Sequence, residues 1–232
     1  LEVGKAEAAV SELNKAPASN ELTLLRGKAL VLSHHSVEAR DSLRGLLESP
    51  LGAEARYWLA MGAEDRGEIP AAIGTFQAVW TKYPTSPWAE KAQQELLSHG
   101  VIVPDFSSSE GRTLIMSRVR TLLQMHLAGE AVPLMDAVHA QDPFDTPEEE
   151  LFFAEALFDA HQYKRAVEWY NRSGWTGSAA IMFNYALATA RSGNYSAAAQ
   201  IYSDLSQRFP KTSQADEATY KIPYMHFDAK EW

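Results

Sequence analysis

The sequence contains no cysteine among its 232 residues. This absence excludes disulfide bonds, thiol chemistry and cysteine-ligated zinc. Long apolar runs are missing too, because no stretch approaches the roughly 20 residues that a membrane-spanning helix requires. The first residues lack a basic stretch followed by an apolar core, so no signal peptide is visible in them. We therefore expect a protein that does not span a membrane.

Basic residues are few and dispersed along the chain. There are 21 Lys and Arg against 30 Asp and Glu, which gives a formal net charge of -9 at pH 7. Nucleic-acid backbones are bound by clustered basic side chains, and this sequence has no such cluster. We therefore expect a protein or peptide partner and no nucleic acid.

Catalytic motifs are also missing from the sequence. It has no Gly-rich phosphate loop, no G-x-S-x-G elbow and no H-E-x-x-H segment. The acidic pairs Glu64-Asp65 and Glu155-Asp159 fall on predicted helices, where we expect them to set surface charge rather than perform chemistry. The sequence thus predicts no catalytic residue, no metal site and no bound cofactor.

What the sequence does contain is a recurring alanine, each time shortly after a polar turn. These alanines are Ala39, Ala72, Ala131, Ala166 and Ala198. Small or β-branched residues stand twelve positions before them, at Gly27, Ala60, Val119, Ala154 and Ala186. Large apolar or aromatic residues stand four positions after them, at Leu43, Phe76, Met135, Tyr170 and Tyr202. Residues four apart share one helix face, so the pattern predicts five stacked helical hairpins.

Proline, glycine and histidine mark the predicted ends of these helices. Proline should stop the second helix of four hairpins, at Pro50, Pro84, Pro143 and Pro210. Glycine in a left-handed conformation should form the turn of three hairpins, at Gly67, Gly129 and Gly193. His34 and His161 stand at the equivalent place in the other two hairpins.

Two segments carry the repeat most clearly, residues 180–210 (AIMFNYALATARSGNYSAAAQIYSDLSQRFP) and residues 57–84 (YWLAMGAEDRGEIPAAIGTFQAVWTKYP). The pattern resembles the tetratricopeptide repeat (TPR) family of helix-turn-helix units. That resemblance implies an all-α fold, a right-handed superhelix or solenoid of antiparallel helix hairpins. It also implies a protein that binds other proteins and does not catalyse a reaction.

The repeat is interrupted once, by the segment HGVIVPDFSSSEGR at residues 99–112. Its Gly, Pro and Ser content predicts an irregular joint at 99–111. We expect one elongated domain, with helical repeats at 1–98 and 112–232 on either side of the joint. Residues 2–13 and 218–232 each resemble half of a hairpin, so we expect the sequence to be cut from a longer protein at both ends.

TPR proteins bind their partners on the concave face that their first helices line. By that resemblance, the groove of this chain would be lined by Tyr57, Met61, Glu64, Arg120, Glu155, Phe158, Phe183, Asn184, Leu187, Arg191 and Lys221. Asn184 and Lys221 resemble part of the carboxylate clamp with which some TPR proteins hold chaperone C-termini. Leu151 and Glu155 stand where that clamp has Lys and Asn, which does not favour a cochaperone.

The segments FQAVWTKYPTSPWAEKAQQEL and YSDLSQRFPKTSQADEATYKI resemble repeats of bacterial envelope proteins and the helical N-terminal region of soluble lytic murein transglycosylases. Our first interpretation is a non-catalytic scaffold for protein-protein interaction in the bacterial cell envelope, periplasmic or associated with the outer membrane. A second is the helical arch of a peptidoglycan lytic transglycosylase whose catalytic domain lies outside these residues. A third is a cytoplasmic adaptor in motility or signalling.

Overall fold

The computed structural model describes residues 3–15, 17, 19–174 and 177–230, and within these residues it contains helices and their connections but no strand. The first seven helices are α1 (Val3–Leu13), α2 (Asn20–Leu32), α3 (Ser36–Arg44), α4 (Gly52–Asp65), α5 (Ile69–Lys82), α6 (Pro87–Ser98) and α7 (Ser109–Gln124). They are followed by α8 (Ala128–Gln141), α9 (Pro147–Asp159), α10 (Tyr163–Ser173), α11 (Ala179–Arg191), α12 (Tyr195–Arg208) and α13 (Ser213–Asp228). The fold is all-α, as the repeat pattern predicts.

The chain divides into two compact units, residues 1–121 and 122–232, with the division inside α7. The predicted joint lies wholly within the first unit. There, residues 99–108 form turns and bends between α6 and α7. Gln93 of α6 holds this segment by donating from Nε2 to the carbonyl oxygen of Val103 at 2.5 Å. Asp105 accepts hydrogen bonds from Ser107 and Ser108, which lower the pKa of its carboxyl group to about 2.

The recurring positions form the core of both units. All five recurring alanines are fully buried, and the large residue four positions after each is buried as well. The small residues twelve positions before the alanines are buried too. At Gly27, an added methyl group would come within 2.6 Å of the Leu43 side chain. The predicted packing of small against large residues is therefore confirmed, because neighbouring helices approach too closely there for a longer side chain.

Several helices begin with a side-chain cap. Ser86, Thr146 and Thr212 each accept a hydrogen bond from a backbone N–H in the first turn of α6, α9 and α13 respectively. Pro87 and Pro147 follow directly at the first helical position, where the missing N–H removes no helical hydrogen bond. These caps fix where α6, α9 and α13 start.

Proline ends three of the four helices for which it was predicted to do so. α5, α8 and α12 end two residues before Pro84, Pro143 and Pro210. The prediction for Pro50 is wrong, because α3 already ends at Arg44 and residues 45–51 form successive turns. Pro50 therefore lies in the connection to α4 and does not terminate α3.

The turns between paired helices use a left-handed residue five positions before each recurring alanine. Gly67 and Gly193 have φ angles of 74° and 94°, and His34 and His161 have φ angles of 63° and 59°. The predicted turn at Gly129 is wrong, because that residue lies inside α8. His126, with a φ angle of 59°, takes the turn position instead. A left-handed conformation is unusual for a residue with a side chain, yet histidine occupies it in three hairpins.

Candidate functional site

In the first unit, the predicted groove residue Tyr57 is part of the core. It is 7% exposed, and its hydroxyl donates to Oε1 of Glu95 at 2.9 Å. Its ring lies 4.9 Å from the ring of Trp88 on α6. Burial, together with the Glu95 carboxylate, raises the pKa of the Tyr57 hydroxyl well above its usual value. The hydroxyl and ring are therefore already occupied by partners within the unit.

The neighbouring acidic residues of α4 also have partners. Oε1 of Glu64 lies 3.4 Å from Nε2 of His99. Asp65 accepts hydrogen bonds from His34 and Ser36. Burial tends to raise the pKa of the Asp65 carboxyl group, but the two hydrogen bonds together with the charges of His34 and Arg66 outweigh it, and the pKa lies below its usual value. Asp65 thus connects α4 to the turn between α2 and α3.

The remaining predicted residues of the first unit are Met61, which is half-buried on α4, and Arg120, which is exposed on α7. In this unit the Asp65 and Glu95 carboxylates accept hydrogen bonds from serine, histidine and tyrosine side chains, whereas Oε2 of Glu64 has no hydrogen-bond partner among the described residues.

In the second unit, two predicted acidic residues lie one turn apart on α9. Burial raises the pKa of Glu155, and the nearby Asp159 carboxylate raises it further, while Asn184 of α11 opposes the shift by hydrogen bonding. Burial also raises the pKa of Asp159, against the opposing effect of His126 and His161. The shifts mark a place where negative charge is only partly compensated.

Phe158, the third predicted residue of α9, contacts Tyr163 with ring centroids 5.8 Å apart. This contact places Phe158 near the turn between α9 and α10. Its side chain is half-buried, so part of the ring stays open to a partner.

A cleft of about 460 Å³ lies among α11, α12 and α13. Its lining residues are Leu187, Ala190, Arg191, Tyr195, Tyr202, Lys221, Met225 and Asp228. Three predicted groove residues, Leu187, Arg191 and Lys221, are thereby brought together although they are distributed over two helices. We call this the C-terminal cleft.

Of the two further predicted residues of α11, Phe183 borders the C-terminal cleft and Asn184 faces α9. The ring of Phe183 lies 5.5 Å from that of Tyr202, and the Lys221 ammonium lies 5.8 Å from the Phe183 ring centre. Asn184 follows Phe183 on α11 and faces Glu155. The first helices of the second unit therefore carry acidic groups on α9 and basic groups on α11 and α13.

Tyr202 is the most unusual member of the C-terminal cleft. The residue is fully buried, and its hydroxyl has no hydrogen-bond partner among the described residues. Burial, with the Glu217 carboxylate, raises the pKa of the hydroxyl well above its usual value, so it remains a neutral donor. A buried hydroxyl without a partner destabilises the fold by about 1–3 kcal/mol, which makes it a candidate for ligand contact.

Tyr202, Met225 and Asp228 were not among the predicted groove residues. The sequence pattern assigns Tyr202 to packing, as the large residue after Ala198, and assigns no role to its hydroxyl. The sequence does contain a second regularity that includes the position of Tyr202. Residues 57 and 183, 76 and 202, and 95 and 221 each differ by 126 positions. The same shift relates helices α4–α6 to helices α11–α13, so the two sets can be compared position by position.

Metal and membrane sites are not found among the described residues. In that part of the chain, no group of three or more His, Asp and Glu side chains could hold a metal ion. No helix within the described ranges is long and apolar enough to cross a bilayer.

Residues 54–86 match the model of the tetratricopeptide repeat family, and they span α4, α5 and the connection to α6. No curated protein matches the sequence significantly.

Three solved structures are similar to this chain at low sequence identity. The pilF protein of Pseudomonas aeruginosa is 18% identical over 87% of this chain and 97% of its own, with a TM-score of 0.41. The TPR2AB domain of yeast Sti1, solved with pHSP90, is 14% identical over 99% and 96%, with a TM-score of 0.37. A tetratricopeptide repeat protein of Parabacteroides merdae is 14% identical over 91% and 74%, with a TM-score of 0.41. The family match covers residues 54–86 and the described residues form paired helices, so the chain is all-α and is similar to proteins built from tetratricopeptide repeats.

Proposed function

We propose that this chain is a non-catalytic scaffold that binds an extended segment of a partner protein on the inner face of its first helices. The observation that carries the proposal is the C-terminal cleft, where a buried hydroxyl without a partner lies beside apolar and basic side chains. TPR-like repeats are typical of proteins that bind other proteins, and the match at residues 54–86 supports the same role.

The size and chemistry of the C-terminal cleft fit one or two side chains of a bound peptide. A volume of about 460 Å³ lies near the lower end of known ligand pockets. Leu187 and Met225 offer an apolar wall, while Arg191 and Lys221 offer donors. A peptide lying across α11 could place an apolar side chain and a polar side chain there at once.

A displayed library of random peptides tests this proposal. Peptides selected on the purified protein should bind the variant Leu187→Ala roughly tenfold or more weakly. The same loss is expected for the double variant that combines Asn184→Ala with Arg191→Ala. Lys211→Ala serves as the matched control, because Lys211 is exposed in the turn between α12 and α13. Thermal melts should show that the groove variants keep their fold. If the selected peptides bind these variants as well as the unchanged protein, the groove is not the binding site.

We further propose that the scaffold works in the bacterial cell envelope, in the periplasm or at the outer membrane. The support is the resemblance of the segments around Tyr83-Pro84 and Phe209-Pro210 to envelope repeats. Both segments lead into capped helices, α6 and α13. Sequencing the complete gene and fractionating the cells in which it is expressed would test this. A signal peptide with recovery in the envelope fraction is expected, whereas recovery in the cytoplasm would favour an adaptor of motility or signalling.

The second candidate is the helical arch of a peptidoglycan lytic transglycosylase. It is favoured by the segment YKIPYMHFDAKEW, residues 220–232, which resembles the corresponding region of those enzymes. A lysozyme-like domain encoded downstream would establish it. The chain itself is expected not to clear a peptidoglycan suspension, and clearing would show that it is catalytic.

A further inference from the structure

We infer that the bound segment carries an acidic and a basic side chain a few residues apart. The acidic side chain enters the C-terminal cleft, and the basic side chain lies against Glu155 and Asp159. This inference rests on the proposed function, because it names the chemistry of the segment that the same groove would hold.

Two hydrogen-bond donors of the C-terminal cleft can bind a carboxylate. The Tyr202 hydroxyl is buried without a partner, and the exposed Arg191 has no ion pair among the described residues. A carboxylate oxygen would accept from both, whereas an apolar side chain would leave the hydroxyl unsatisfied. Donors to an ionised acceptor form stronger hydrogen bonds than donors to a neutral one.

Other charged groups of the C-terminal cleft narrow the assignment. Lys221 contacts Glu217 at 3.2 Å, and Asp228 lies at the rim of the cleft. The cleft is therefore not a region of large positive charge. A carboxylate would be held by directed hydrogen bonds from Arg191 and Tyr202 more than by the overall field, which favours a single acidic side chain over a highly charged stretch.

Two carboxylates of α9 repel each other. Glu155 and Asp159 are one turn apart, and each has a raised pKa for which burial is the main cause. Like charges at this spacing destabilise each other. An ammonium or guanidinium group placed beside them would relieve both the repulsion and the loss of hydration. The groups that face this pair are Asn184, Tyr170, His126 and His161.

The separation of the two sites follows from α11. Asn184, which faces Glu155, and Arg191 are seven residues apart on this helix, which corresponds to about 10 Å along its axis. An extended chain advances about 3.3 Å per residue. The acidic and basic side chains should therefore be about two to four residues apart in the bound segment.

Fluorescein-labelled peptides provide the test. Each would carry one Lys and one Glu, separated by two, three or four positions around a central Leu, in both orders along the chain. Analogues with Gln at one or both charged positions are the controls. We expect at least one mixed-charge peptide to bind the complete chain roughly tenfold or more tightly than its neutral analogue, since a hydrogen bond to a charged group contributes about 1.5–3 kcal/mol.

Variants then assign each charge to its site. Arg191→Ala and Tyr202→Phe should weaken the Glu-containing peptides by roughly tenfold, and should weaken the peptide with Gln in place of Glu much less, because a neutral amide oxygen accepts weaker hydrogen bonds than a carboxylate. Glu155→Gln should weaken only the peptides that contain Lys. Lys211→Ala and Glu168→Gln, both exposed and remote from the groove, are the matched controls.

The outcomes separate this inference from the proposed function. If neutral peptides bind as tightly as charged ones, but still lose binding in Leu187→Ala, the charge pattern is overturned and the peptide groove stands. If a free C-terminal carboxylate replaces the acidic side chain without loss, the internal acidic residue is overturned. If no peptide depends on Leu187 or Arg191, both the inference and the proposed function fail.

Discussion

Helices α4–α6 of the first unit and α11–α13 of the second have corresponding buried cores, but charged groups of opposite sign stand at corresponding positions around them. We call these two sets of helices the first and second modules. A shift of 126 residues carries Ala89 and Ala92 onto Ala215 and Ala218, all of them buried. The same shift carries the acidic residue Glu95 onto the basic residue Lys221. The packing of the two modules is therefore conserved while their exposed chemistry is reversed.

The reversal continues along the first helix of each module. Asp65 in the first module corresponds to Arg191 in the second, and Tyr57 corresponds to Phe183. The first module uses its polar groups internally, through the Tyr57–Glu95 hydrogen bond and the contacts of Asp65 with His34 and Ser36. In the second module the Tyr202 hydroxyl has no such partner within the described chain. The two modules thus share a helical frame but differ in whether the buried tyrosine hydroxyl has a partner among the described residues.

The largest expected effect tests whether the two cores are equivalent. Phe76 and Tyr202 occupy the same position of the two modules, and both are fully buried. Replacing either with Ala should lower the free energy of unfolding by about 3–5 kcal/mol, because a large buried ring leaves a cavity. Guanidinium denaturation followed by tryptophan fluorescence measures the change. Val37→Ala, at a position 67% exposed, is the control, and a small loss in only one module would break the equivalence.

The next largest effect is expected from Asp65, whose carboxylate accepts hydrogen bonds within the first unit. Asp65→Asn should lower the free energy of unfolding by about 1–2 kcal/mol at neutral pH, because hydrogen bonds to a carboxylate are lost. The lowered pKa of Asp65 adds a pH signature. The stabilisation of the unchanged protein is complete above the unfolded-state pKa of about 4 and is lost as the pH falls through the lower folded-state value.

The Asp65→Asn difference should therefore shrink as the solution becomes more acidic than about pH 4. Asp41→Asn is the control, because Asp41 is an exposed residue of α3. A difference that stays constant from neutral to acidic pH would show that the Asp65 charge does not stabilise the first module.

A smaller effect is expected from the hydroxyl that the first module uses and the second lacks. Tyr57→Phe removes the donor to Glu95 but keeps the buried ring. We expect a loss of about 1 kcal/mol in the free energy of unfolding. Glu95→Gln combined with Tyr57→Phe forms a double-mutant cycle, which isolates the interaction between these two side chains. A coupling energy near zero would mean that the Tyr57–Glu95 hydrogen bond does not stabilise the first module.

The smallest effect is expected from removing the Tyr202 hydroxyl of the second module. Tyr202→Phe should leave the free energy of unfolding within about 0.5 kcal/mol or raise it slightly, because the removed hydroxyl has no partner among the described residues. Urea denaturation of the variant beside Tyr57→Phe gives the comparison directly. A loss of more than about 1 kcal/mol would indicate that the Tyr202 hydroxyl has a hydrogen-bond partner within the protein, as the Tyr57 hydroxyl has.

The core of these modules could be predicted from the sequence because packing repeats. Ala72 and Ala198 recur with a large residue four positions later, since every hairpin meets the same steric demand. The exception was the turn of the hairpin that contains Ala131. In that turn the left-handed residue is His126, which stands five positions before the alanine, and not Gly129.

The candidate site was less predictable, for a different physical reason. The Tyr57–Glu95 hydrogen bond joins residues 38 positions apart, and Asp65 meets Ser36 across 29 positions. Neither pair has a periodic signature, because each occurs once and depends on how two helices are placed. The sequence could assign Leu187, Arg191 and Lys221 to a common face, but it could not show that the Tyr202 hydroxyl between them is without a partner.

The left-handed histidines at the hairpin turns have a use as reporters. His34, His126 and His161 lie at the tips of three different hairpins, and the chain contains seven histidines in all. Imidazole ring protons give nuclear magnetic resonance signals that are resolved from most others. Selective ¹³C labelling of histidine would therefore let the opening of each of these hairpins be followed separately during unfolding or binding, without any engineered probe.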